Sequence, residues 1–149
     1  MLGPEVQSTG LSLCLGPPNE VKITSKETEV PKPQEIVLTF QQATGNKEFA
    51  AARKLLHDNL EFHGPIDTFH KADDYLHAIQ KLSVIVEGVE ILKVFEDGND
   101  VSLFCDLKTK TVGTSFVAEW YKVKDGKIAS VRAVFDARPF AAMFAKQAG

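Results

Sequence analysis

The stretch VAEWYKVKDGKIASVRAVF, residues Val117–Phe135, decides how this chain folds. On either side of Lys124-Asp125-Gly126, apolar residues alternate with polar ones at a period of two, the spacing of a strand with two unlike faces. Asp-Gly between two such runs is a hairpin signal, because both residues tolerate positive φ. The pattern predicts strands over Thr114–Val123 and Lys127–Phe135, joined by that turn.

The same signals repeat toward the N-terminus. Val101–Thr109 reads as a strand ending at a turn around Thr111–Gly113, and the β-branched run Val84–Phe95 stops at Asp97-Gly98-Asn99-Asp100. Before Ser83 the period becomes helical. Ile36, Val37 and Phe40 form one apolar stripe, broken by Thr44-Gly45-Asn46. Phe49, Ala52 and Leu56 form a second within Lys47–Leu56, and Tyr75, Leu76, Ile79 and Leu82 a third within Lys71–Leu82. Asn59–His63 is a short extended piece closed by Gly64-Pro65. Asp136 can cap a closing helix that contains Pro139, Phe140, Met143 and Phe144. Helices followed by a four-strand antiparallel meander predict an α+β domain, its helices gathered on one face of a curved sheet.

Five of the seven prolines (Pro4, Pro17, Pro18, Pro31, Pro33) precede residue 34, along with Gly3, Gly10 and Gly16. Proline fixes φ and removes a donor, so this density excludes a regular helix. Residues 1–33 are expected to be a flexible tail, or an arm laid across a partner subunit, with room for one edge strand in Glu20–Val30. Residues 34–149 are expected to be the folded domain.

A chain of 149 residues has the size of one ordinary domain. Its formal net charge of -3 supplies no basic field for nucleic acid or anionic lipid. No apolar run approaches the ~18 residues of a membrane span. MLGPEVQSTG has no basic region ahead of Leu11, Leu13 and Leu15, so no secretory signal is expected there. Cys14 and Cys105 form no paired motif. A reduced, cytoplasmic protein with neither a nucleic-acid nor a membrane partner is the expectation. Dinucleotide, P-loop and nucleophile-elbow motifs are missing from the sequence, and His57, His70 and His77 make no three-ligand set, so no metal or other cofactor is expected.

The order of elements, with LEFHGPI at Leu60–Ile66, VAEWYKVKDGKI at Val117–Ile128 and VFDARPF ending at Phe140, resembles the nuclear transport factor 2-like superfamily in its SnoaL-like branch. The resemblance spans roughly Gln34 to Phe144. It implies a cone-shaped, cystatin-like α+β barrel whose helices and concave sheet face enclose one deep pocket, and dimers formed through the convex face. Isomerases, dehydratases, epoxide hydrolases, polyketide cyclases and binding proteins share that fold, so it does not choose among them. Limonene epoxide hydrolases carry an aspartate in mid-strand where this chain has Ala133, and no supporting Arg-x-Asp pair lies near Cys105–Leu107. Epoxide opening of that kind is disfavoured. SnoaL-like polyketide cyclases use an aspartate at or near the same position. Ketosteroid isomerases place a proton-shuttling carboxylate on the short strand just before a proline, where the match here offers His63.

With Val131, Ala133 and Phe135 inward, as the resemblance implies, alternation sets Val117, Glu119 and Tyr121 beside them, then Leu103, Cys105 and Leu107, and on the short strand Glu61 and His63. The opposite face collects Phe104, Asp106, Phe116, Ala118, Trp120, Arg132 and Val134, too apolar for a solvated sheet. A homodimer interface through Phe104, Phe116, Trp120 and Arg132 is expected, with an Arg132–Asp106 pair inside it.

Inside the cone, an ionised Glu119 needs a partner, or its pKa rises. His63 is the nearest expected partner, with Tyr75 on the third helix another, and an imidazole beside an acid passes a proton near neutral pH. The expected catalytic pair is His63 as general base with Glu119 orienting it or acting as acid. Glu61, Tyr75, Cys105, Val117, Tyr121, Val131, Ala133 and Phe135 are expected to line the pocket around a small hydrophobic molecule, carbonyl-bearing or polycyclic. Cofactor-independent isomerase- or cyclase-type proton transfer, binding without turnover, and a dimeric interaction module are three uses of such a fold. Each residue also has a structural reading. His63 can bond a loop carbonyl, and Glu119 can pair with a basic residue at the rim. With a one-residue slip, Glu119 faces solvent and Trp120 lines the pocket. Cys105 can be an apolar filler, Tyr75 a core ring, and His57 a neutraliser of a helix C-terminus.

Overall fold

A computed structural model describes residues 31–142. The expected N-terminal tail, the edge strand proposed for Glu20–Val30, and Met143 and Phe144 of the closing helix lie outside the described residues. Two helices open the described chain, α1 (Pro33–Gly45) and α2 (Phe49–Arg53), and a third, α3 (Ala72–Ser83), follows the first two strands. The strands are β1 (Leu56–His63), β2 (Thr68–Phe69), β3 (Val86–Asp97), β4 (Asp100–Thr109), β5 (Gly113–Lys124) and β6 (Lys127–Val134).

Pro33 opens α1 at a position where its missing N–H is no loss. The Glu35 carboxylate accepts the Lys32 N–H at 3.1 Å, which satisfies one of the helix's orphan donors. Ile36, Val37, Phe40 and Ala43 form the buried stripe that the periodicity predicts. The second helix is shorter than expected. Leu56 leaves it to pair with Ile128, whose N–H also donates to the Leu55 carbonyl at 2.8 Å, so sheet pairing overrides helical spacing. The hairpin at Asp125-Gly126 has φ of 54° and 77°, the left-handed pair that a tight two-residue turn requires.

The sheet order is β2-β1-β6-β5-β4-β3, with β1–β6 parallel and the other pairs antiparallel. The predicted four-strand meander is therefore extended to six strands. β1 reaches the sheet only after a helix and joins β6 side by side, and the two-residue β2 pairs Phe69 with Phe62. Register shifts in β1, β3 and β5 mark bulges or irregularities, which bend strands, and the sheet curls around α1 and α3 as the α+β cone expected. Its concave face holds the core: Leu56, Leu60, Val101, Leu103, Tyr121, Ile128 and Val131 are all fully buried, packed with Val37 and Phe40 of α1.

Candidate active site

Cross-strand partners share a face, so the register assigns every strand residue to the inside or the outside of the cone. Glu119 pairs with Leu103 on β4 and Ala133 on β6, and Tyr121 pairs with Val101 and Val131. Those partners are buried, as are Cys105 and Val117. Phe135 packs against the core and meets Phe140 edge-on at 5.3 Å. The inward placement of β4, β5 and β6 is as expected, and Glu119 sits half-buried among them.

Three side chains hold one another there. The Tyr121 hydroxyl donates to Oε1 of Glu119 at 2.6 Å, and Nε2 of Gln41 donates to the same oxygen at 3.0 Å. Nε2 of Gln41 also donates to the Tyr121 hydroxyl oxygen. The chemistry fixes the orientation of the amide, because a flipped Gln41 would turn its carbonyl oxygen toward a carboxylate. Oε2 of Glu119 has no hydrogen-bond partner among the described residues. Neither does the Tyr75 hydroxyl, although Tyr75 is only 5% exposed. Its ring is stacked on Phe62 at 4.8 Å and on Phe40 at 6.2 Å. An unpaired polar group at that depth is uncommon and costly, and a ligand is one way to satisfy it.

Burial pushes the Glu119 pKa above the ordinary carboxylate value, and the hydrogen bonds from Tyr121 and Gln41 partly oppose it. Burial, then the negative charge of Glu119, pushes the Tyr75 and Tyr121 phenols well above their ordinary values. The same two causes, with Asp106, push the Cys105 thiol up to about 12, so it stays protonated and is no nucleophile. Two neutral phenols and a neutral thiol thus surround one carboxyl group. The arrangement can take up or release a proton at Glu119 and offer a hydrogen bond from Tyr75.

His63 and Glu61 are not in this site. β1 pairs Phe62 with the buried Val131 and His63 with the exposed Arg132, so Phe62 points inward and His63 outward. The His63 side chain is 42% exposed, and its Nε2 lies 3.7 Å from Glu61, which accepts a closer contact of 2.9 Å from His70. The expected His63–Glu119 pair is replaced by Glu119–Tyr121–Gln41, and Glu61 is an outer-face residue. Gly64 shapes this end of β1: a Cβ there would lie 2.8 Å from the Phe62 ring. We predict that His63→Ala leaves ligand affinity and any turnover within about twofold, and stability within about 0.5 kcal/mol, as for most exposed positions. Ligand titration and thermal melting check this.

Other expectations also shift. Among the described residues Glu119 forms no ion pair with a basic residue, and its partners Tyr121 and Gln41 are neutral. His57 lies in β1, and its Nε2 contacts the carbonyl of Lys124 on β5 at 2.6 Å rather than one of a helix end. Arg132 shares its row with Trp120 and Ser102, while Asp106 lies four residues further along β4, so the expected Arg132–Asp106 pair does not form. Among the described residues no group of three His, Cys, Asp or Glu side chains could hold a metal. No helix there is long and apolar enough to cross a membrane.

On the outer face, Phe116 is 59% exposed and Trp120 44%. Phe104 stacks on Phe116 at 6.0 Å and meets Phe95 edge-on at 6.1 Å. Two open depressions lie away from Glu119. One is polar, lined by His57, Asp58, Asn59, Lys124, Asp125 and Ala129. The other, about 340 Å³, lies between Phe95, Asp97, Asp100, Ser102 and Trp120.

Residues 37–131 match the SnoaL-like domain, and the chain belongs to that family. A protein from Kribbella flavida is 28% identical with a TM-score of 0.69, over 77% of this chain and 96% of that one. A nuclear-transport-factor-2-like protein of unknown function from Cytophaga hutchinsonii is 30% identical, also with a TM-score of 0.69, over 77% of this chain and 98% of its own. An LEH-like epoxide hydrolase from M. tuberculosis, at 20% identity and TM-score 0.62 over 76% and 96% of the two chains, shares the fold. No curated protein matches the sequence at a significant level.

Proposed function

We propose that the cone binds a small, neutral, hydrophobic molecule bearing a carbonyl group, and that Glu119 moves a proton on it without a cofactor, as in isomerase- or cyclase-type chemistry. Oε2 would accept the proton of a carbon next to the carbonyl. The C–H electron pair would pass to the carbonyl oxygen, which Tyr75 would stabilise by donating its hydrogen bond; the proton would return from Oε2 to another carbon. One observation carries the reading: a carboxyl group held through one oxygen, with its other oxygen and a nearby buried phenol both unpartnered. An anionic ligand fits poorly, since Gln41, Tyr75, Cys105, Tyr121 and Ala133 bring no cation to offset Glu119. The test is a panel of neutral ketones, steroids and aromatic polyketides, followed by native mass spectrometry for binding and chromatography for product. Product that vanishes in Glu119→Gln while binding persists supports the reading.

Binding without turnover is the second reading, and Ala133 favours it. That residue lies directly opposite Glu119, where the resembled hydrolases and cyclases carry their aspartate. Binding by wild type with no product across the panel would select it.

The outer face is proposed as a homodimer surface, centred on Phe104, Phe116, Trp120 and Arg132. Exposed aromatics of this extent favour burial against a second copy. The patch is also self-complementary in charge, because the depression beside Asp97 and Asp100 is acidic while Lys93 and Lys122 lie over the Phe95 and Trp120 rings. Trp120→Glu is expected to convert a species of twice 16.4 kDa into the monomer, read by light scattering; a monomeric wild type would end this proposal. Cytoplasmic residence belongs to the same reading and rests on the free, buried thiol of Cys105.

A further inference from the structure

We propose that Gln41 is a positioning residue that, together with Tyr121, commits Oε1 of Glu119 to fixed hydrogen bonds and leaves Oε2 as the oxygen through which the acid exchanges its proton. The inference rests on the reading of Glu119 as the proton carrier and specifies how that carrier is built.

Counting donors and acceptors makes the case. Nε2 of Gln41 donates toward both Glu119 Oε1 and the Tyr121 oxygen, which lie 2.6 Å apart. The single hydroxyl hydrogen of Tyr121 goes to the same Oε1. Two donors therefore converge on that oxygen and none on Oε2. A proton placed on Oε1 would weaken that oxygen as the acceptor of both donors. A proton placed on Oε2 disturbs neither. The hydrogen bonds are therefore the same before and after proton transfer, and no reorganisation accompanies the step. The neutrality of Gln41 matters as well. A lysine or arginine at this place would hold the carboxylate ionised and weaken it as a base, whereas an amide orients it with little change in charge.

Titration of the Glu119 carboxyl carbon by NMR in the full-length protein tests this. The groups facing Glu119 are Tyr121 on its own strand, Cys105 on β4 and Tyr75 on α3, with the uncharged Ala133 on β6 and Gln41 on α1. Burial keeps the two phenols and the thiol protonated far above the range in which a carboxyl group titrates, so the curve belongs to Glu119. Gln41→Met keeps the length of the side chain and removes both donors. Its expected result is a midpoint moved upward by on the order of one pH unit, a tenfold change in proton affinity, with the pH profile of any turnover moved the same way. Tyr121→Phe is expected to move it in the same direction. A side chain serving only to pack the helix would alter the melting temperature and leave the midpoint in place. Should Gln41→Met fail to fold, the wild-type protein still decides: the Gln41 side-chain amide resonances are expected to shift with the carboxyl midpoint. An unmoved midpoint in the variant, or amide protons indifferent to pH, overturns the role of Gln41. Turnover that survives Glu119→Gln overturns instead the reading of Glu119 as proton carrier.

Discussion

Glu119→Gln is expected to lower the turnover of any ligand the cone converts by about 10²–10⁴-fold, the usual contribution of a positioned general acid or base, while affinity changes by less than about threefold. Glutamine preserves the shape of the side chain, and its carbonyl oxygen can still accept from Tyr121 and Gln41, so the site should stay assembled. Only the capacity of Oε2 to take a proton is removed. A loss in kcat at near-constant binding is therefore the expected signature. In the wild type the base must be ionised, so the rate should rise with pH through the raised pKa of Glu119 and level off above it. A rate that falls across the same range, or a variant as fast as the wild type, would exclude this assignment.

The same substitution is expected to stabilise the fold. Burial raises the folded-state pKa of Glu119 above the ordinary value of 4.5, so the native state prefers the protonated acid. The stability this group contributes is fully present below 4.5 and is lost as pH rises through the raised value. Glutamine is uncharged at every pH and avoids that loss. At neutral pH the variant should melt about 2–4 °C above the wild type, a shift typical when one functional group is traded for stability. The difference should disappear below the ordinary carboxylate range, where both side chains are neutral. Calorimetry across pH checks the sign and the window together.

Most of the sheet was readable because β4 and β5 alternate, as does β6 from Val131 onward, and each is buried on one side only. The same alternation placed Glu119 and Tyr121 inside and Trp120 outside. In β1 two signals disagreed. Leu60-Glu61-Phe62-His63 alternates in favour of Leu60 and Phe62, whereas resemblance to isomerases pointed to His63. The structure follows the apolar residues, because Phe62 fills the space between Phe69 and Tyr75. Gln41 carried no legible signal. It lies one residue after Phe40 at the edge of an apolar stripe, where a polar helix residue ordinarily faces water. Its partners on β5 are 78 and 80 residues away in sequence, and no local pattern reports a pairing of that range. The parallel alliance of β1 with β6 was hidden for the same reason, since periodicity describes a strand and not its neighbour.

Phe40→Ala is expected to cost about 3–5 kcal/mol, the range for removing a large aromatic ring from a closed core. The ring is 1% exposed and touches both halves of the fold, stacked on Tyr75 of α3 at 6.2 Å and edge-on to Tyr121 of β5 at 6.5 Å. Those are the two phenols beside Glu119, so the cavity left by alanine would open against the site itself. Tyr121 would lose the contact that sets its ring, and Gln41, the next residue along α1, would lose its fixed distance from the carboxylate. Stability and proton transfer should therefore fall together, and the Glu119 midpoint should become broad or displaced even under conditions where the variant remains folded. Phe40→Leu retains most of the apolar volume and should cost less than half as much. Denaturant unfolding of the three proteins, with the Glu119 titration run beside it, separates a general loosening of the core from the specific support that this ring gives to the two tyrosines. If alanine at this position is tolerated within about 1 kcal/mol, helix α1 is not the wall against which the site is built.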